Sequence, residues 1–131
     1  MGDIYLVRHG QASFGAEDYD NLSARGEQQC HRLGQHMGGF IKPEVMLFGQ
    51  HRRHRQSLAS FCQGAGFNAN KENELAEFNE FDHEQVLLKA FPHLSTKQDV
   101  AMELAKSANP RKYFHQMFQQ SVERWIAGEH D

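Results

Sequence analysis

The chain has 131 residues, 39% hydrophobic and 24% charged, the values of one ordinary globular domain long enough to bury a core. Fourteen Lys and Arg against seventeen Asp and Glu leave a formal net charge of −3 with His neutral. That excludes a general polycation of the kind that binds nucleic acid or anionic membrane, so any anion must be recruited locally. Two cysteines without metal or redox spacing make no disulfide framework, and no apolar run approaches the ~20 residues of a membrane helix, so a cytoplasmic protein is expected.

The first apolar run, Ile4-Tyr5-Leu6-Val7, is hydrophobic at every position. That pattern suits a strand buried on both faces and predicts an α/β architecture with a parallel or mixed sheet. Arg8, His9 and Gly10 follow at its C-terminal end, where ligands bind in open α/β sheets. An imidazole in that position can attack a phosphorus centre while the adjacent guanidinium neutralises phosphate oxygens, and Gly10 admits the backbone close to the ligand. A phosphoryl group is the expected ligand. Residues 10–22, with Gly15, Asp18, Asp20 and Asn21, read as a polar loop of the kind that carries ligand contacts.

Ser23 is placed to cap a helix in which Cys30, Leu33, Met37 and Phe40 share one face, closed by Gly38-Gly39 and Pro43. Val45-Met46-Leu47-Phe48 reads as a second strand, which completes a βαβ unit with a right-handed crossover. The segment Gly49 to Ser57 then brings three Arg and two His to the start of the next helix, where backbone N–H groups and the helix dipole favour an anion. That helix carries Leu58, Phe61 and Cys62 and is expected to stop at Gly64 and Gly66. His51 and His54 at i and i+3 supply only two zinc ligands, with no further ligand at suitable spacing.

Phe67 to Asn70 reads as a third, edge strand, and Glu72 to Asp82, with five carboxylates among two Phe, as a loop. Residues 84–127 read as three helical segments. Val86-Leu87-Leu88 runs up to Pro92; a segment capped by Ser95 or Thr96 carries Val100 and Leu104; Asn109-Pro110 opens a third, with Phe114, Met117, Phe118, Val122, Trp125 and Ile126 on a broad apolar face. An aromatic face at helical spacing reads as packing surface, and the region as a helical insert in a single domain covering residues 1–131.

Residues 5–11, Tyr-Leu-Val-Arg-His-Gly-Gln, resemble the signature of the histidine phosphatase superfamily, the phosphoglycerate-mutase-like group in which this His becomes phosphorylated. The segment from Gly49 looks like a divergent copy of the family's second motif, with Arg53 at its Arg position, Gln56 at its Gln and Ser57 at its Thr. Gly49, Gln50 and His51 replace the usual Ser, Pro and Leu, which keeps Arg52 and Arg55 open as alternative registers. The family's general acid follows a Leu-x-Glu, and Leu75-Ala76-Glu77 matches that placement. Desolvation among Phe78 and Phe81 could raise such a carboxyl for proton donation, and Glu74 and Glu80 are the alternatives.

The resemblance implies a three-layer α/β/α sandwich and a phosphate monoester hydrolase acting on a small-molecule or protein phosphate, with no cofactor and no metal. His9 would be the nucleophile, Arg8 and Arg53 the oxygen clamps, Glu77 the acid, and Gly10, Gln11 and Ser13 further phosphate contacts. Gln-Ala-Ser-Phe-Gly after Gly10 lacks the Ser, Trp, Asn pattern of mutases, which favours a phosphatase over a phosphotransferase. The rival from another class is a non-catalytic phospholigand- or partner-binding module. Family members continue with a buried strand ending in a His-Gly-Gly type sequence. The natural polypeptide is therefore expected to run past Asp131 by roughly 50 to 70 residues, and without that strand the first apolar run should be exposed.

Overall fold

The computed structural model describes residues 1–13, 20–68 and 73–128. The loop positions Gly15 and Asp18, the end of the expected edge strand and His130 lie outside the described residues. Two compact units are present, Met1–Glu80 and Phe81–Asp131.

The first unit is built on α1 (Ala24–Met37) and α2 (Arg52–Ala65). α1 starts where Ser23 Oγ accepts from Gly26 N at 3.0 Å, a cap worth about 1 kcal/mol. Its buried positions, Gly26, Cys30, Gly34 and Met37, run at spacings of one helical turn. On α2 the buried positions are Arg53, Ser57, Phe61 and Cys62, so the stripe that is apolar in the second half turns polar in the first two turns. Met37, Ile41, Phe61 and Cys62 form the core, with Leu33, Met46, Leu58, Ala65 and Phe67 packed against it. The helices approach backbone to backbone: a Cβ on Gly34 would run into the Phe61 carbonyl, and one on Gly64 into the His31 carbonyl. Helix α2 accordingly passes through Gly64 and ends at Gly66, where the chain turns left-handed at φ 75°. Phe40 lies beyond the end of α1 and is exposed, not part of its buried face.

The expected sheet is not seen among the described residues, whose regular elements are all helical. Among the described residues, neither Ile4–Val7 nor 45–47 makes a backbone hydrogen bond to another segment, and the bridges are two isolated ones, Ala12 with Leu22 (antiparallel) and Phe48 with Glu74 (parallel). An apolar run becomes a strand only when a neighbour takes up its N–H and C=O groups, and periodicity alone cannot supply one. No βαβ crossover is seen among the described residues, and Phe67 and Asn68 belong to no strand. Ile4 and Leu6 are 87% and 91% exposed.

The second unit holds α3 (His83–Ala90), α4 (Lys97–Ala105) and α5 (Pro110–Ile126), each with a side-chain cap. Asp82 accepts from Gln85 N, Thr96 and Asp99 form a reciprocal capping box, and Asn109 accepts from Lys112 N with Pro110 as the first helical residue. Leu87, Leu94, Val100 and Met117 form its core, and Leu88, Phe91, Leu104 and Tyr113 pack on them. Phe81 stacks on Trp125 at 5.1 Å between ring centroids, and Phe114 on Phe118 at 6.2 Å. No helix among the described residues is long and apolar enough to cross a membrane.

Candidate active site

The turn carrying His9 is fastened to the start of α2. Gly10 N donates to Ser57 Oγ at 3.0 Å, and that hydroxyl donates to Arg53 O at 2.7 Å, so one serine ties the histidine turn to the backbone of the arginine. Gln56 does the same for the following loop: its Oε1 accepts from Leu22 N at 2.8 Å and its Nε2 donates to Asn21 Oδ1 at 3.2 Å. Gln11 O accepts from Ser23 N, and Gln11 N donates to Gln29 Oε1, which attach the same stretch to α1. The side chains that matched the family's Gln and Thr positions thus set the relation between the two motifs.

His9 is half-buried, with 14% of its side chain exposed. Its Nδ1 lies 2.7 Å from Gly10 O, and since a carbonyl only accepts, Nδ1 carries the hydrogen. Nε2 is the ring atom left to face into the site. There it meets Glu80 Oε1 at 3.2 Å, while Glu80 Oε2 lies 3.0 Å from Arg53 Nη2. One carboxylate bridges the histidine and the arginine.

Arg53 is buried, and its other arm, Nη1, donates to Asp20 Oδ1 at 2.8 Å. Asp20 also accepts from the backbone N–H groups of Arg52 and Arg53, standing at the N-terminus of α2, where His51 offers no side-chain cap. Burial alone would raise the Asp20 carboxyl, but those two N–H groups and the Arg53 guanidinium hold it below its ordinary range. Burial would likewise raise Glu80. The charges of Arg53 and His9, with the hydrogen bonds from both, outweigh it and leave the carboxyl low.

The other two arginines point elsewhere. Arg52 Nη1 reaches Asn21 Oδ1 at 3.3 Å, and Arg55 forms a forked pair with Glu74 at 2.7 and 3.0 Å. The three loop carboxylates separate in the same way. Glu74 is engaged with Arg55; Glu77, on the 3₁₀ turn Ala76–Phe78, is exposed and makes no hydrogen bond or ion pair among the described residues; Glu80 meets His9 and Arg53. Arg8 and Gln11 are exposed, Ser13 is half-buried and Gly10 is buried. Arg8 makes no hydrogen bond or ion pair among the described residues.

Glu80 is brought over α2 by its neighbour in the chain. Asn79 Oδ1 accepts from Gln50 N at 2.6 Å and Asn79 Nδ2 donates to Gln50 Oε1 at 3.1 Å, a two-point clamp between the acidic loop and the start of the helix. Gly49 makes the approach possible, since a Cβ there would meet the His54 ring and the Phe78 carbonyl. His54, beyond the reach of the sequence reading as a site residue, has its ring centroid 6.0 Å from that of His9 and 5.1 Å from that of His51. Its Nδ1 is buried without a hydrogen bond. Desolvation, then the positive charges of Arg53, His51 and His9, push its pKa down, and Glu80 offsets this only in part. Among the described residues no three His, Cys, Asp or Glu side chains converge as a metal-binding group.

A profile of the histidine phosphatase superfamily (branch 1) matches residues 4–127. No curated protein and no solved structure matches the chain.

Proposed function

The chain belongs to the histidine phosphatase superfamily, branch 1, and from that membership we propose that it hydrolyses phosphate monoesters through a phosphohistidine on His9. The observation that supports the reading is the shared carboxylate of Glu80, whose two oxygens reach His9 Nε2 at 3.2 Å and Arg53 Nη2 at 3.0 Å. Nε2 attacks phosphorus in line, the P–N bond forms and the P–O ester bond breaks. Its electron pair passes to the leaving oxygen, which takes a proton from a carboxyl. Water then attacks phosphorus, the P–N electron pair returns to Nε2, and the water's proton goes back to the carboxylate.

Positioning and charge neutralisation carry such a transfer, because the phosphoryl group needs little covalent help. The contact of Arg53 with Asp20 supports its role as oxygen clamp, and Arg8, next to His9 in the chain, is the second candidate. The contacts of Glu80 favour it over Glu77 and Glu74 as the proton donor. Burial would raise its pKa, and Arg53 and His9 hold it low; a phosphate dianion placed beside it raises that pKa and lets it hold the proton. Gly10, Gln11 and Ser13 remain as candidate backbone and side-chain contacts. The substrate class is a small-molecule or protein phosphate monoester, and the lack of a mutase-type Ser, Trp, Asn pattern after Gly10 favours hydrolysis over transfer to a second hydroxyl.

The test is trapping. Brief incubation with ³²P-labelled acyl or aryl phosphate followed by alkaline quench should leave acid-labile label on His9, and none on His9→Ala folded to the same near-UV spectrum. Label retained by His9→Ala, or no label on either protein, would sink the reading and leave a phospholigand-binding module in its place.

A further inference from the structure

The geometry points to Glu80 as the occupant of the phosphate seat in the resting protein, a carboxylate that must be displaced before substrate can enter. This rests on the phosphatase reading and goes beyond it. A phosphoryl group poised for attack needs phosphorus about 3–3.5 Å from Nε2 with its oxygens on the arginine. Glu80 already places one oxygen 3.2 Å from His9 Nε2 and the other 3.0 Å from Arg53 Nη2. Carboxylate and phosphoryl group cannot share that volume.

The same contact silences the nucleophile. With Nδ1 donating to Gly10 O, the approach of Oε1 to Nε2 is attractive only with a proton between them, and an Nε2 engaged in that bond has no lone pair for phosphorus. Of Asp20 and Glu80, the carboxylates on Arg53 among the described residues, Glu80 is the exchangeable one. Asp20 is tied to two backbone N–H groups of α2, whereas Glu80 has 49% of its side chain exposed and is held only through side chains. Displacement frees Nε2 and one face of Arg53 together, while Asp20 keeps the guanidinium in place. The charged and titratable groups around Glu80 are His9 from the N-terminal turn and Arg53 and His54 from α2, with Asp20 behind Arg53.

Sulfate is the probe, because it is tetrahedral and stays a dianion from pH 4 to 8. Its affinity, read by calorimetry at pH 7.5, should rise at least about tenfold in Glu80→Ala and by a smaller factor in Glu80→Gln, which keeps an oxygen for Arg53. A residue with a merely structural role would weaken anion binding when removed. Wild-type affinity should climb as pH falls toward 4.5, with a smaller climb in Glu80→Ala, which lacks the competing carboxylate. Equal or weaker sulfate binding by both variants, with native near-UV spectra, would overturn the displacement. If Glu80→Ala fails to fold, Glu80→Gln and the wild-type pH series decide in the same way. Sulfate binding by neither wild type nor variant would instead overturn the phosphate reading itself.

Discussion

His9 and Glu80, 71 positions apart in sequence, lie 3.2 Å apart, Nε2 against Oε1, and this contact selects one carboxylate out of an acidic loop. Glu80→Gln should slow turnover of alkyl phosphates by roughly 10²-fold or more and of p-nitrophenyl phosphate far less, because a good leaving group needs little protonation. Glu77→Gln, at an exposed position without contacts, should leave both rates within about twofold. Steady-state kinetics on the two substrates distinguishes the residues, and the opposite ranking would return the acid to Glu77.

The three arginines at the start of α2 should separate as sharply. Arg53→Ala removes the guanidinium between Asp20 and Glu80 and leaves two carboxylates facing each other across its vacated place, so kcat/KM should fall by roughly 10²-fold or more. Arg55→Ala breaks an exposed fork with Glu74, where an ion pair contributes little, and should change kcat/KM by less than about threefold. Arg52→Ala should behave like Arg55→Ala. A dominant effect at Arg52 would mean that the second motif is offset by one residue.

What could be read from the sequence was what the chain encodes locally. Ser23, Thr96 and Asn109 cap helices where they were expected to, because a cap needs only its next three residues. The helix α2 was legible from Leu58, Phe61 and Cys62, whereas Arg53 was singled out by the resemblance and its burial was not foreseen. The sheet was not legible, since Ile4–Val7 and 45–47 have the composition of strands, and whether they pair depends on chain elsewhere. The choice among Glu74, Glu77 and Glu80 was hidden for a related reason: an irregular loop has no period from which to infer facing. The signal lay in Asn79 and Gln50, whose paired amides pin the residue before Glu80 to the helix, and in Gly49, which departs from the family pattern where the loop comes close.

The crossing of α1 and α2 gives a test of packing independent of catalysis. Helix propensity alone would reward Gly34→Ala by about 1 kcal/mol. The new methyl would meet the Phe61 carbonyl, and overpacking against backbone costs about 1–3 kcal/mol, so the clash wins and the variant should be less stable. Gly64→Ala, against the His31 carbonyl, should do the same. Gly39→Ala, with open space around it, should be neutral or slightly stabilising. Urea midpoints at constant m-value measure the three; a stabilised Gly34→Ala would mean that the helices do not approach this closely.

Acidification should destabilise the protein in two stages, because every shifted group of the site binds its proton less readily when folded. His54 is depressed below 6.5, so the unfolded chain takes up a proton that the folded one resists, and stability begins to fall as pH drops through 6.5. Glu80 and Asp20 are depressed below 4.5 and 3.8; their contribution is complete above those values and is lost as pH falls through the lower folded-state pKa values. Melting temperature should therefore be level from pH 8 to 7, decline gently toward pH 5, and fall steeply below pH 4.5. His54→Gln removes the only one of these groups that titrates in the upper window and should flatten the decline between pH 7 and 5 while keeping the steep acid limb. A gentle limb that survives in His54→Gln would assign it to another histidine, and a melting temperature that rises on acidification would contradict the half-buried, cation-flanked position of the ring.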